Sequence, residues 1–298
     1  MKSKIGIETI FFIFLGITLL TSTINLNIFN TVRNNIDPGK KLNLSEISGK
    51  IHINNNWSAA KTAGICTGNG TSTDPYLIKD LEIDGGGVGS CILIENANDY
   101  FMILNCSLTN SEDDFLMEEA GIKLVNSRNG QLINNTFSNP GGTGIFIHLS
   151  NDTTLIGNSL NTNLEAGCRV VYSHNILAYL NNFRGQYFTV FFGNSTHRFF
   201  SEKRITYIYN DRTYTRFMGN FWQSELVEDN NGDGIGDEPV IWTDGDDLHL
   251  IDSYPLIDPK ENYQIIGFTA GAIPGYNYFF LIGFISIVSV FIIKKIKK

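Results

Sequence analysis

Between Gly121 and Phe183 the chain alternates apolar and polar residues in short runs broken by Asn, Ser and Gly, and the pattern recurs every 23 residues. Gly121, Gly144 and Gly167 open the three passages. Ser127, Ser150 and Ser173 keep the same step, as do Asn135, Asn158 and Asn181, and Phe137, Leu160 and Phe183. Period-two runs of this length are strands, because an amphipathic helix needs apolar residues three and four apart over a longer stretch. A unit of two or three short strands cannot bury its own apolar face, so consecutive repeats must stack and share a core. The pattern therefore predicts an all-β chain, a single-stranded parallel β-helix (a solenoid) in which each repeat forms one coil. Neighbouring coils lie about 4.8 Å apart, which sets residues one repeat apart directly over each other. Asn135, Asn158 and Asn181 are expected to form an inward amide ladder, and Ser127, Ser150 and Ser173 a second column. Both are structural, since satisfying backbone groups accounts for every member.

The alternation extends in both directions. Ile51-His52-Ile53 reads as a first strand, and Trp57 is placed to cover the open end of the stack. Leu81-Glu82-Ile83, Ile92-Leu93-Ile94 and the stretch from Leu104 to Leu108 continue the strands, with Cys106 on the ladder position. From Ser111 to Glu119 an insertion carrying five carboxylates departs from the repeat and is expected to loop outward. After Phe183 the register blurs until Ile205 to Tyr209 and Thr213 to Phe217, which flank Asn210-Asp211 and suggest a hairpin or a widened last coil.

Side chains on a strand alternate between its faces, so inward Ile122, Ile145 and Cys168 put Lys123, Phe146 and Arg169 outside, with His148 two residues beyond Phe146. A cation, an aromatic ring and a cation in one column suit an anionic sugar chain. Lys123, Phe146, His148 and Arg169 are thus the candidate binding residues. The same cations with the insertion acids make the alternative, a carbohydrate-active enzyme on acidic polysaccharide. No column of acids faces them, however, and no Ser/His/Asp or Cys/His grouping marks a nucleophile, so no catalytic residue is assigned. Further on, Asp229, Asn231, Asp233, the carbonyl of Ile235 and Asp237 have the spacing of a calcium loop, and hard oxygen donors suit Ca²⁺. Val240 stands where such a loop carries its bidentate Glu, and an Asx-turn loop satisfied internally is the alternative.

The Gly-rich turn ending in Asp74-Pro75-Tyr76, the 23-residue repeat, then Gly219-Asn220-Phe221-Trp222, the Asp/Gly-rich loop and Asp252-Ser253-Tyr254-Pro255-Leu256 together resemble the periplasmic copper-binding, NosD-type family of right-handed parallel β-helices. The resemblance covers roughly residues 51 to 256. It implies a β-helix and, through the family name, copper binding or a metal-delivery accessory role. The residues themselves disfavour copper, because His52, His148, His174, His197 and His249 are scattered and no Met or His cluster occurs.

A net charge of −8 and a pI near 5.1 argue against a nucleic-acid partner. Of four cysteines, Cys91 is expected to face out within reach of Cys66, while Cys106 and Cys168 look inward. Lys2 and Lys4 before the apolar run from Ile10 to Leu20 mark residues 1–23 as a signal peptide or signal anchor. Residues 24–50 read as a linker or entry segment, 51–218 as the β-helix, 219–258 as its Asp/Gly-rich C-terminal region and 259–275 as a second linker. Residues 276–298 are apolar and end in four lysines among five residues, a transmembrane anchor with a cytoplasmic tail. Pro274-Gly275-Tyr276 before that run resembles archaeal surface-protein sorting signals, in which the tail is processed away. The sequence thus describes a cell-surface, membrane-anchored protein with its domain outside, acting as a non-catalytic binding or structural module for a glycan or a surface-protein partner.

Overall fold

A computed structural model of the chain describes residues 46–112, 118–138, 142–161, 166–184, 190–192, 197–244 and 247–268. The segments read as an export signal and as a membrane anchor lie outside these. Among the described residues no helix is long and apolar enough to cross a membrane.

Each repeat contributes one strand to each of three parallel sheets, giving a parallel β-helix. The first sheet has seven strands, from Glu46–Ser48 through Thr136–Ser138 and Ser159–Asn161 to Phe221–Trp222. The second has six, among them Ile92–Glu95, Ala120–Val125, Thr143–His148 and Ala166–Val171. The third also has six, from Tyr76–Lys79 to His197–Arg198. The 23-residue step is the strand register itself: Thr136 pairs with Ser159 and Ser159 with Asn182, while Ile122 pairs with Ile145 and Ile145 with Cys168. Inward positions of all three sheets, including Ile78, Ile83, Ile94, Leu124, Leu132 and Phe137, merge into one core. The repeat opens on glycine because space there is short. A Cβ on Gly121 would lie 2.6 Å from the Phe137 ring and 2.9 Å from the Gly144 carbonyl oxygen. At the N-terminal end the short helix Trp57–Thr62 delivers Trp57, which is buried and stacks on Tyr76 at 4.8 Å and Phe101 at 5.5 Å.

Both polar columns are fully buried and run along the axis. Asn158 Oδ1 accepts from the backbone N–H of Asn135 (2.9 Å) and from its side-chain amide (3.1 Å), while Asn158 Nδ2 donates to the Leu132 carbonyl (2.8 Å). Asn181 repeats this one coil on, and Asn135 accepts from the N–H of Cys106, which ends the column without an amide of its own. Ser150 Oγ accepts from the Ser127 N–H and Ser173 Oγ from the Ser150 N–H. These bonds satisfy backbone groups at corners where no sheet partner can reach them.

The ladder runs one step beyond the regular spacing, to Asn220. Its Oδ1 accepts from the Asn181 side chain (2.8 Å), 39 residues away, because a hairpin interrupts the last coil. That hairpin pairs Ile205–Tyr209 with Arg212–Arg216 across Asn210-Asp211, both at positive φ, which resolves the choice between hairpin and widened coil. Asn220 leaves two donors pointing out of the stack. Asp252 Oδ2 accepts both, at 2.7 and 3.2 Å, together with the Trp222 indole N–H at 2.9 Å, and Asp252 Oδ1 takes the Tyr254 N–H. A carboxylate accepts without donating, so the ladder needs no further member. Gly219 lies against this cap, where a Cβ would fall 1.9 Å from Asp252 Oδ1. The chain then turns back along the side of the helix. Asn182 Nδ2 bonds both Glu261 oxygens, and Gln264–Phe268 adds antiparallel to the first strand of the hairpin.

The cysteines require a correction. Cys91 does not face out towards Cys66; it is buried, bonded to the Thr109 carbonyl, and all four cysteines are free. Its inward direction follows from the register of Ile51–Asn54 on Ile92–Glu95, which puts Ile92 and Ile94 inside and the residue before them at the buried corner.

Two outcomes test the ladder and its cap. Asn158→Leu leaves the Asn135 N–H and the Leu132 carbonyl unpaired, and is expected to lower unfolding free energy by about 3 kcal/mol in a denaturant titration. Burial raises the Asp252 carboxyl from 3.8 to about 6 against the pull of its N–H donors. A raised folded-state value means the folded chain binds the proton more tightly. This contribution to stability is therefore complete below pH about 4 and is lost as pH rises through about 6, a swing on the order of 3 kcal/mol. Melting curves from pH 4 to 7 should show that slope in the parent and not in Asp252→Asn.

Candidate functional site

The outer face of the second sheet carries the column read from the sequence. Lys123, Phe146 and Arg169 are register partners on consecutive coils, and both cations lie over the phenyl ring, Lys123 Nζ at 5.8 Å and the Arg169 guanidinium carbon at 5.2 Å from its centroid. The expectation that this column is open to an acidic sugar is corrected by the insertion. Glu119 pairs with Lys123 at 3.1 Å and Glu118 with Arg169 at 3.3 Å, and Phe146 is only 1% exposed. Glu119 also accepts from Ser90, and Glu112 from the Gly89 N–H at 2.7 Å. Glu118 and Glu119 therefore strap the column down. Asp113 and Asp114 of the same insertion lie outside the described residues. With their cations paired and the ring covered, these groups have neither the exposure nor the free charge to grip an anion.

Next to the closed column stands an open one. His148 stacks on Phe146 at 5.9 Å and meets Tyr172 at 6.0 Å, and Tyr172 and Leu149 are 65% and 50% exposed. Leu149 and Tyr172 occupy successive coils at the corner where the second sheet ends, the Leu149 N–H donating to the Val171 carbonyl at 3.0 Å. The same corner holds Asn55, Asn96 and Asn126 on the preceding coils, and all five residues have φ between 46° and 54°. Sequence reasoning placed His148 here but missed Leu149 and Tyr172, which sit in a turn outside the strand alternation. The available signal was two apolar residues, one repeat apart, at a corner otherwise occupied by asparagine.

The Asp/Gly-rich loop brings Asp229, Asn231, Asp233 and Asp237 together and turns their oxygens onto its own donors. Asp229 accepts from the N–H groups of Gly232, Asp233 and Gly234, Asn231 from Asp233, and Asp233 from Ile235. Asp237 accepts from Asn230 and Asn231, and the Asn230 backbone N–H holds its carboxyl below the usual range. The second Asp233 oxygen pairs with Arg216 at 2.9 Å, so a protein cation already stands against the site. Among the described residues no three His, Cys, Asp or Glu side chains are grouped to hold a metal ion.

Imidazole and sulfur donors form no group of three among the described residues. His52 bonds Glu95 at 2.6 Å, and His197, half-buried, accepts weakly from the Ile176 N–H while burial and nearby His174 depress it to about 4. Burial pushes the Cys91 thiol up to about 11 and the Cys106 and Cys168 thiols up to about 12, so none is a thiolate at neutral pH. Asp233→Ala is expected to cost about 2 kcal/mol in EDTA, because Arg216 and the Ile235 N–H lose their acceptor whether or not an ion binds. Melting temperatures of parent and variant, with and without Ca²⁺, check this. A calcium-dependent shift in the parent alone would assign the loop to the ion.

Residues 16–226 match the family described as periplasmic copper-binding protein (NosD). No curated protein and no solved structure matches the chain. The matched span ends shortly after Trp222, at the final strand of the first sheet, and takes in every coil of the repeat. With more than half of the sequence matched, and with the stacked parallel sheets such repeats build, the chain belongs to the NosD family.

Proposed function

We propose that the chain is a non-catalytic binding module: a rigid β-helix outside the cytoplasm, held at a membrane by the segment after residue 275, that engages a surface glycan. The observation that carries this reading is the exposed Tyr172 ring beside half-buried His148, an aromatic surface of the kind that stacks on sugar rings. The enzyme alternative needs Lys123 and Arg169 to be available, and they are paired with Glu119 and Glu118. The family supports a location in the periplasm or outside the cell; the membrane tether rests on the apolar, lysine-ended C-terminus.

The family description also favours a second reading, a copper-binding or accessory role. Against it, no three His, Cys, Asp or Glu side chains are grouped among the described residues, and the four cysteines are buried.

Incubation of the full-length, detergent-purified protein with a panel of neutral and acidic polysaccharides tests the proposal. Retention of at least one glycan without release of reducing ends or unsaturated products is the expected result. Lys123→Ala and Arg169→Ala should lower the melting temperature, because each uncovers Phe146. Turnover that disappears in those two variants would establish the enzyme instead.

A further inference from the structure

The corner that ends the second sheet changes character part of the way along the helix. On three coils it is occupied by Asn55, Asn96 and Asn126, residues that tolerate the left-handed conformation, and exposed amides bond along the axis there, Asn96 to Asn54 and Asn126 to Asn96. On the next two coils the conformation is unchanged, with φ of 49° and 50°, but the residues are Leu149 and Tyr172. A branched or aromatic residue at positive φ is strained, and each here is half or more exposed as well. With Leu149 on the next coil, the run of corner amides ends at Asn126 among the described residues. Asparagine would reduce the strain, extend the ladder and expose less apolar surface.

We infer that Leu149 and Tyr172, with Asn126 before them, form a subsite for a neutral, extended glycan lying along the helix axis. The inference rests on the binding-module reading and adds the ligand class and the residues. Three features set the chemistry. The Tyr172 ring, backed by His148 and through it by buried Phe146, offers a rigid stacking surface. Asn126 and, on the other side of the turn, the paired Asp152 and Asn175 supply exposed hydrogen-bonding groups in register with the same coils. The coil spacing, about 4.8 Å, is close to the length of one pyranose unit in an extended chain, so successive sugars meet successive coils. Neutrality follows from charge, because the cations of the adjoining column, Lys123 and Arg169, are compensated by Glu119 and Glu118. An acidic polymer would meet Asp152 with no unpaired cation of the column to offset it.

Titration calorimetry on the full-length protein in detergent, with cellohexaose, mannohexaose, xylohexaose and hexagalacturonate as probes, tests the subsite. At least one neutral hexaose is expected to bind, with affinity about tenfold lower in Tyr172→Ala. Leu149→Asn should also weaken binding while raising the melting temperature by about 2 °C, as relief of strain requires. A structural role alone would lower stability in that variant, so a lower melting temperature overturns the inference. Failure of all three neutral probes to bind overturns it too, as does binding indifferent to both substitutions. Binding of hexagalacturonate that is lost in Arg169→Ala would leave the binding-module reading standing and move the site to the column. Hydrolysis of any probe would instead remove that reading itself.

Discussion

From Cys106 to Asn220 the stacked coils depend on a side-chain amide that takes the place of a missing backbone partner. At a β-helix corner the chain turns too sharply for sheet bonding, and an N–H or a carbonyl is left facing the core. Asn135, Asn158, Asn181 and Asn220 each accept from the coil before and donate to a carbonyl of that coil, so one residue type repairs two defects per turn. The bonds run between coils, and they fix the axial register as firmly as the strands do. The glycines, the apolar columns and the exposed corners inherit their positions from that register.

The strand register and the two polar columns were legible because they repeat at a constant step. The closure was not, although its residues were in view. The hairpin after Ile205 displaces Asn220 from the 23-residue spacing, yet Asn220-Phe221-Trp222 repeats the Asn, any residue, apolar triplet of Asn135-Thr136-Phe137 and Asn158-Ser159-Leu160. Asp252 belongs to a motif recognised only by resemblance, and its physical meaning needs three dimensions: it is the acceptor on which the ladder stops. The outward column was read correctly in direction, while its accessibility was decided by an insertion whose path periodicity cannot supply. Leu149 and Tyr172 escaped for the opposite reason, since corner residues belong to no alternation.

The two outer surfaces of the second sheet show how neighbouring strips of one solenoid acquire different tasks. One strip uses cations, an aromatic ring and a strap of carboxylates to close itself, and it tightens the insertion onto the coils. The adjoining strip leaves its ring in water and bears backbone strain. Buried Phe146 connects them, because it carries the cations on its face and His148 on its other contact. Stiffness at the open strip is thus supplied by the closed one.

The amide ladder has a direction, and the two ends of the solenoid are chemically different because of it. A second solenoid approaching the C-terminal end would have to offer an acceptor to Asn220, and Asp252 already occupies that place with a negative charge that has no use for another coil. At the opposite end the column stops at a thiol in Cys106, beneath coils sealed by the stacked rings of Trp57, Tyr76 and Phe101. Head-to-tail growth into a fibre, the standing hazard of any structure built from open-ended parallel strands, is blocked at one end by electrostatics and at the other by shape.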